Sequence, residues 1–331
     1  MRVGILRKRD PNASGTATSI FYASDVHGSD RCWRKFLGAA SFYKVDTLIM
    51  GGDLTGKAMV PITQEADGIY TARFIGERRR VSSDEQLSQL KDAIRFNGMY
   101  PWVASPDEVQ RHRDDDVARD QLFETVILDD LRGWVALADK KAAASGVDVY
   151  AIAGNDDPWT CDAVLEASQR VRPCEDRLVE VGGHEMIACS LVNPTPWNSP
   201  REMDEQRLYD HLRGLAEQVS DPSRAIFMFH APPYDSGLDT AREVNPEDLT
   251  VVMRNGQPNE IPVGSKAARQ IIEEFQPLLA LHGHIHESRG ITTIGRTTCI
   301  NPGSDYVSGR IHGALVKLSD HNVTMRQLVI G

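Results

Sequence analysis

The sequence predicts a mostly parallel α/β fold, and two observations support this prediction. Five strand-like runs of apolar residues each end at a polar tip, and segments with helical periodicity lie between them. Strands that alternate with helices are typical of parallel sheets, in which ligands gather beyond the carboxyl ends of the strands. The runs are residues 19–24, 45–50, 147–153, 225–229 and 278–281. The helical patterns are residues 30–41, 159–170, 201–219 and 265–276.

Residues 56–145 depart from this alternation. They begin with a predicted hairpin that turns at Asp67 and Gly68, followed by a helix near 84–97 and a long helix from about 106 to 140. Because the segment leaves directly after the second polar tip, we expect it to be an inserted cap over the pocket beyond the strands. The alternative is a segment that serves oligomerisation or stability alone.

Two further segments complete the predicted fold. Residues 232–264 are rich in Pro, Gly and Asn, and they predict a long loop or a second inserted segment near the active site. The later runs "GITTIG", "TTCINPGS" and "HGALVKL" predict short strands of the antiparallel kind.

Composition and charge narrow the classes of function. The 331 residues are 41% apolar and 25% charged, which is typical of an ordinary globular protein. The net charge of −10 disfavours long nucleic acid as a partner, because duplex-binding proteins usually show a basic footprint. The five cysteines are scattered, and no apolar run has the length of a signal peptide or a membrane span. We therefore expect a cytoplasmic protein with no membrane partner, and a homo-oligomer stays open.

Side chains that can hold metal ions stand at all five polar tips. Oxygen and nitrogen ligands without thiolate suit manganese first, with iron or zinc as alternatives. Seven such groups exceed what one ion needs, and two divalent ions that share a bridging carboxylate would account for the number. Because they run from residue 25 to residue 286, a single domain should span residues 1–331. The candidates are Asp25, His27, Asp53, Asn155, His230, His284 and His286.

In their order along the chain, these motifs resemble those of the calcineurin-like metallophosphoesterase family. The motifs are "DVHG", "GGD", "GND", the His of "FHAPPY", "GHIH" and "NPGS". They fall within residues 19–55, 147–158 and 225–318. The resemblance implies a two-sheet β-sandwich flanked by helices, which also accounts for the antiparallel strands near the C-terminus.

The resemblance also implies a role for each candidate ligand. Asp25, His27 and His286 would hold the first metal ion, and Asn155, His230 and His284 would hold the second. Asp53 would bridge the two ions.

The "GNDD" stretch departs from the family pattern at one position. Most relatives carry His after the ligand Asn, where it protonates or stabilises the leaving oxygen, whereas this chain has Asp156. An ionised Asp donates no hydrogen bond, and it would repel a second phosphate charge by roughly 1 to 4 kcal/mol at 4 Å. A monoester dianion should suffer more than a diester monoanion, and family members without this His resemble phosphodiesterases. Asp156 is therefore the candidate catalytic residue of a predicted phosphodiesterase.

The resulting prediction is metal-dependent hydrolysis of phosphate esters, mainly diesters of small molecules or nucleotides. A hydroxide held between the ions would attack phosphorus in line. The alternatives are a non-catalytic scaffold on a phosphoesterase fold, a metal-dependent nuclease and a phosphomonoesterase. His282 could assist the leaving group or could be packed under its loop. Trp33, Trp102, Trp159 and Trp197 are expected in the core or at the rim rather than as stacking platforms.

Overall fold

The computed structural model describes residues 17–331, and it is a mixed α/β structure built on two six-stranded sheets. In chain order the strands are β1 (Thr18–Ala23), β2 (Thr47–Gly51), β3 (Ala58–Gln64), β4 (Tyr70–Phe74), β5 (Glu77–Val81), β6 (Met99–Ala104), β7 (Asp148–Ile152), β8 (Val171–Pro173), β9 (Val179–Val181), β10 (His184–Cys189), β11 (Ile226–Phe229), β12 (Thr240–Arg242), β13 (Met253–Arg254), β14 (Gln257–Pro258), β15 (Glu260–Pro262), β16 (Leu279–Leu281), β17 (Gly290–Ile294), β18 (Thr297–Asn301), β19 (His312–Ser319) and β20 (Asn322–Ile330). The helices are α1 (Asp30–Tyr43), α2 (Asp84–Phe96), α3 (Pro106–Asp114), α4 (Asp116–Ser145), α5 (Cys161–Glu166), α6 (Glu205–Ala216) and α7 (Lys266–Phe275).

The first sheet has the strand order β20-β19-β1-β2-β7-β8. Its strands β1, β2, β7 and β8 are parallel, with Tyr22 opposite Ile49 and Ile49 opposite Tyr150. The antiparallel strands β19 and β20 extend the sheet beyond β1. The carboxyl ends of β1, β2 and β7 therefore lie side by side at one edge.

The second sheet has the order β17-β18-β16-β11-β10-β9. Strands β10, β11, β16 and β18 are parallel, and Met228 of β11 lies opposite Leu281 of β16. Strands β9 and β17 are antiparallel to their neighbours. The five predicted strand-like runs correspond to β1, β2, β7, β11 and β16, so the α/β prediction is confirmed.

The two sheets pack face to face because alternate side chains of each strand point to opposite sides. Ile20, Tyr22 and Ile152 of the first sheet share one buried cluster with Met228 and Leu281 of the second. The outer face of the first sheet is covered by α1, α4 and α5, and that of the second by α6 and α7. The result is a sandwich of two sheets between two layers of helices.

Strands β3 to β6 and helix α2 of the segment 56–145 fold around a core of their own, whereas α4 packs on the first sheet. Strands β5-β4-β3-β6 form a four-stranded sheet, and Val60, Ile62, Phe74, Leu90 and Ile94 pack between this sheet and α2. The predicted hairpin corresponds to β3 and β4, joined by a short 3₁₀ turn.

The single long helix predicted from about 106 to 140 is wrong, because the chain breaks at Asp115 into α3 and α4. Asp115 has extended backbone angles (φ −124°, ψ 100°), and its side chain accepts a hydrogen bond from the backbone N–H of Ala118. The side chain of Asp115 thus caps the start of α4. This capping bond favours a new helix start at Asp115 over one continuous helix.

Residues 232–264 contain two short strand pairs. Strands β12 and β15 pair in antiparallel fashion, and the short pair β13 and β14 lies between them in the chain. Buried Asp239 holds the base of this segment, because its carboxylate accepts hydrogen bonds from the backbone N–H groups of Asp235, Ser236 and Gly264.

None of the helices in residues 17–331 combines the length and apolar character needed to cross a membrane. The N-terminal stretch that showed no signal-peptide pattern falls mainly in residues 1–16, which lie outside the described residues.

Candidate metal centre

The five polar tips meet at one edge of the sandwich. Asp25 and His27 follow β1, Asp53 follows β2 and Asn155 follows β7, all in the first sheet. The second sheet contributes His230 after β11, and His284 and His286 after β16. The structure therefore brings together all seven residues that the sequence singled out.

Four of these residues lie in left-handed backbone conformations. The φ angles are 58° for Asp25, 37° for His27, 50° for Asp53 and 65° for His284. Residues other than glycine rarely adopt such angles, and strain of this kind clusters at functional sites.

One group of ligand atoms comes from Asp25, His27, Asp53 and His286, and these atoms lie within 4.8 Å of one another. Nε2 of His27 lies 3.0 Å from Nε2 of His286 and 3.5 Å from Oδ2 of Asp53. Nε2 of His286 lies 3.4 Å from Oδ1 of Asp25. Two imidazole nitrogens and two carboxylates thus converge on one point.

A second group comes from Asp53, His230 and His284, again with ligand atoms within 4.8 Å of one another. Nε2 of His230 lies 3.5 Å from Oδ2 of Asp53. Oδ2 of Asp53 is therefore equally distant from His27 of the first group and from His230 of the second. The Asp53 carboxylate stands between the two groups.

Asn155 joins the second group with a fixed amide orientation. Its Nδ2 donates to Oγ of Ser199 (2.9 Å) and to Oδ1 of Asp156 (3.0 Å). Its Oδ1 consequently faces Nε2 of His230 at 3.1 Å. Glu202 accepts in turn from Oγ of Ser199 (2.8 Å), so a chain of hydrogen bonds presents the amide oxygen to the site.

The chemistry of these donors fits divalent cations. Asp25 and Asp53 are each only 1% exposed, and no Lys or Arg side chain in residues 17–331 pairs with either carboxylate. Buried carboxylates are costly unless a cation compensates them. Carboxylate, amide and imidazole donors without thiolate suit manganese, iron or zinc.

The imidazole ring of His230 is also oriented for metal binding. Nδ1 of His230 donates to the carbonyl oxygen of Gly51 (2.7 Å), which turns Nε2 toward the carboxylates. Burial alone would lower the pKa of His230, but the Asp53 and Asp25 carboxylates outweigh it and raise that pKa to about 10. Burial lowers the pKa of His27 to about 3, so this ring is neutral. A second hydrogen bond that fixes the ring is a recurrent property of histidine ligands.

Two glycines allow the loops to approach this closely. A Cβ atom at Gly154 would lie 2.1 Å from the backbone nitrogen of Asp53, and one at Gly283 would lie 2.5 Å from Oδ2 of Asp25. Any side chain at either position would displace a candidate ligand. The glycine of "GND" and the glycine of "HGHIH" are therefore required by packing against the carboxylates.

Asp156 lies beside the two groups, and no pattern in the sequence indicated its main partner. Its Oδ2 forms an ion pair with the ammonium of Lys57 and lies 4.0 Å from Nδ1 of His27. Burial and the Asp53 carboxylate raise the pKa of Asp156, whereas Lys57 lowers it. The Lys57 ammonium thus offsets negative charge at this position, and the catalytic role of Asp156 stays a prediction.

Asp157 has a structural role. Its buried carboxylate accepts hydrogen bonds from the backbone N–H groups of Leu54, Thr55 and Gly154, and from the Thr55 hydroxyl. These bonds join the loop after β2 to the loop after β7. Asp157 therefore fixes Asp53 relative to Asn155.

His282 is packed beneath the site. It is fully buried, and its Nδ1 donates to the carbonyl oxygens of Phe229 (2.9 Å) and Ala231 (3.1 Å). It thereby supports the loop that carries His230. Ser304 likewise donates from its hydroxyl to the carbonyl oxygen of Asp25 (2.6 Å), and this bond fixes the first ligand loop.

Two neighbours of the site escaped prediction, Lys57 and Tyr306. The ring of Tyr306 lies 4.7 Å from that of His27 and 5.8 Å from that of His286, measured between centroids. Tyr306 comes shortly after "NPGS", and that proximity to a family motif is the one signal that could have indicated it.

A cavity of about 730 Å³ opens beside the two groups. Asp53, Asn155, His284 and His286 lie on its inner side. Its walls come from residues 193–197 and from residues 234–264, and Lys57 is the contribution of the segment 56–145.

No protein-family model matches the chain. The uncharacterized protein MJ1162 of Methanocaldococcus jannaschii is 30% identical over 159 residues, which is 47% of this chain and 64% of that protein. The matched region thus spans less than two thirds of the length of this curated relative.

Two solved structures share the fold. The protein TT1561 of Thermus thermophilus is 16% identical, with a TM-score of 0.51 over 96% of this chain and 99% of that chain. A second solved structure is also 16% identical, with a TM-score of 0.54 over 95% of this chain and 99% of that chain.

Proposed function

We propose that this protein is a dinuclear, metal-dependent phosphoesterase with a calcineurin-like metallophosphoesterase fold. One observation carries the proposal: Oδ2 of Asp53 lies 3.5 Å from Nε2 of His27 and 3.5 Å from Nε2 of His230. A carboxylate in that position can bridge two ions, and paired ions are suited to displacement at phosphorus.

The proposed ligand sets follow the two groups. Asp25, His27 and His286 hold the first ion, Asn155, His230 and His284 hold the second, and Asp53 bridges them. Manganese is the proposed metal, with iron or zinc as alternatives. When bound, two such ions supply positive charge for the developing phosphoryl oxygens and activate a water nucleophile.

The remaining residues position the substrate. The hydrogen bonds of Asn155 to Ser199 and Asp156 keep its amide from rotating, so its oxygen stays on the site side. The Lys57 and Asp156 pair lies at the cavity wall beside Asn155. We place this pair next to the phosphoryl group of the bound ester.

The preferred substrates in this proposal are diesters of small molecules, including nucleotides. No histidine donor follows Asn155, and the cavity beside the site has room for a second ester group. One observation favours a second candidate, phosphomonoester hydrolysis: the Lys57 ammonium offsets the Asp156 charge that would repel a dianion. Convergence of all seven candidate ligands argues against a decayed scaffold.

The proposal is tested with the protein reconstituted with Mn²⁺ and assayed on mono-, di- and cyclic phosphate esters. Asp53→Asn should lower metal content at both sites and abolish hydrolysis, because one substitution removes a ligand from each ion. His286→Ala should empty chiefly the first site. Metal content is measured by elemental analysis after gel filtration.

The matched control is His211→Ala. His211 lies with Asp176 and Cys189 in a third group of metal-type side chains away from the cavity. This variant should retain two equivalents of metal and normal turnover. Two equivalents retained by Asp53→Asn, together with normal turnover, would contradict the ligand assignment.

A further inference from the structure

The cavity beside the candidate metal centre is much larger than a phosphate group requires. Its volume of about 730 Å³ lies within the range of about 300–1,000 Å³ that is usual for pockets that enclose organic ligands. The candidate ligands occupy one side of it, so most of the space is available to a part of the substrate that does not react.

Aromatic and aliphatic side chains dominate the walls of this space. Trp197 comes from the loop after β10, and Tyr234, Val244, Ile261 and Pro262 come from residues 232–264. Trp197 is 62% exposed although it faces a cavity, so much of its surface has no protein neighbour. An exposed aromatic of this kind is suited to cover an apolar ligand group.

Both walls are held in place by hydrogen bonds. Glu202 accepts from the backbone N–H and hydroxyl of Thr195 and from the backbone N–H of Ser199, which fixes the loop that carries Trp197. The backbone N–H of Tyr234 donates to the carbonyl oxygen of Ser265 at 3.0 Å. Ordered walls bind a ligand without the entropic cost of arranging them.

The same loop also touches the metal centre. Ser199, two residues after Trp197, accepts the hydrogen bond that orients the amide of Asn155. The short segment 197–199 thus both lines the cavity and orients the amide oxygen of Asn155.

The charges around the cavity favour an uncharged group. Arg242 and Lys266 line it, but so do Glu205, Glu243 and Glu287. With both signs present, the walls offer no uniform field for a second anion. The exposed faces of Trp197 and Tyr234 offer apolar contact to an uncharged ring system.

We propose that this cavity binds the non-leaving ester group of the substrate, an uncharged flat ring system of about nucleoside size, with Trp197 and Tyr234 as its specificity-determining residues. The proposal rests on the proposed phosphoesterase function and names the substrate class of that site. Stacking of one base on an aromatic side chain is lost on alanine substitution at a cost of about 5- to 150-fold in affinity.

The test uses two substrates with the same leaving group, methyl 4-nitrophenyl phosphate and thymidine 5′-(4-nitrophenyl phosphate), and the Mn²⁺-loaded protein. The wild type should show a higher kcat/KM for the thymidine ester. Trp197→Ala and Tyr234→Ala should each lower that value about 5- to 150-fold and leave the methyl ester within about twofold. Trp197→Phe should restore most of the loss.

Trp102→Ala is the matched control, because Trp102 lines a separate cavity within the segment 56–145. It should leave the ratio of the two substrates unchanged. A second readout is calorimetric binding of thymidine 5′-monophosphate, which Trp197→Ala should weaken while binding of inorganic phosphate stays constant.

The two levels of the proposal fail differently. If the wild type hydrolyses the methyl ester but shows no thymidine preference that depends on Trp197 or Tyr234, the cavity assignment is overturned and the phosphoesterase function stands. If it hydrolyses neither ester, the function fails. Calorimetry then decides the cavity assignment: nucleotide binding that depends on Trp197 supports it, and its absence overturns it.

Discussion

Residues 56–145 and residues 232–264 both leave the sandwich directly behind a candidate ligand, Asp53 for the first and His230 for the second, yet they are organised differently. The first segment has its own sheet and an apolar cluster between that sheet and α2, while its helix α4 packs on the first sheet of the sandwich. It reaches the large cavity only through Lys57. The second has two short strand pairs, and it supplies much of the cavity wall.

This difference shows that the length of an inserted segment does not indicate how much of the cavity wall it supplies. The first segment buries its apolar side chains partly in this cluster and partly, through α4, against the outer face of the first sheet, so it lines the large cavity with Lys57 alone. Leu238 is the one buried Leu, Ile, Val or Met side chain of the second segment, and this segment lines the cavity beside the candidate ligands. Both segments begin just after a strand end that carries a candidate ligand, so this position alone does not decide which of them lines the cavity.

The largest expected effect concerns stability. Ile94 is fully buried in the separate cluster of the first segment. Ile94→Ala should lower the free energy of unfolding by about 2–5 kcal/mol, because it leaves a cavity in that cluster. Urea denaturation measures this loss, and kcat/KM of the remaining folded protein should stay at the wild-type value.

The matched substitution in the second segment is Val251→Ala, at an exposed position. It should change stability by less than about 0.5 kcal/mol. A loss of esterase activity by folded Ile94→Ala protein would break the comparison, because it would couple the first segment to the chemistry.

An intermediate effect is expected where the first segment enters the site. Lys57→Met would leave the Asp156 carboxylate without its cation, so monoester turnover should fall relative to diester turnover. Asp156→Asn would leave the ammonium alone, and the ratio should rise. Each change corresponds to about 1–3 kcal/mol, roughly 5- to 150-fold, in the ratio of kcat/KM values.

Lys57→Arg retains the charge and should keep the ratio close to that of the wild type. Lys57→Met combined with Asp156→Asn should also return toward the wild-type ratio, since both charges are then absent. Shifts of the same sign in the two single variants would show that the pair does not act through its charge.

The smallest expected effect separates the two segments directly. Val244→Ala removes apolar surface from the cavity wall, and it should reduce the preference for a bulky over a methyl ester by about two- to fourfold. Replacing the turn Ala66–Gly68 with a two-residue turn should leave that preference unchanged. Steady-state kinetics on the two esters measure both. A larger change from the shortened turn would support a cap formed by residues 56–145.

Much of the fold and of the candidate site could be predicted from the sequence, because both depend on local patterns. Runs such as residues 19–24 and 225–229 are short, apolar and followed by polar residues, and parallel strands bring their carboxyl ends to one edge. Asp25, Asp53 and His230 could therefore be placed together without knowledge of any contact.

The rest depends on contacts that no local pattern encodes. Lys57 and Asp156 are far apart in the chain, and neither residue type indicates the other. Strand β6 contains Pro101, which disfavours strand pairing, but β6 lies at the edge of its sheet, where proline is tolerated. Asp115 sits within a helical apolar pattern, and only its backbone angles reveal the break.

The division of the candidate ligands between the two sheets has a thermodynamic consequence. Asp25, Asp53 and Asn155 belong to the first sheet, and His230 and His284 to the second. An ion can be held by both sets of ligands only while the two sheets are packed together. Ion binding therefore stabilises the packed sheets by mass action. At a free ion concentration one hundred times the dissociation constant, this linkage adds about 2.7 kcal/mol to the free energy of unfolding. The ion would thus act as a non-covalent crosslink between the two sheets, and its free concentration would set how much it stabilises their packing.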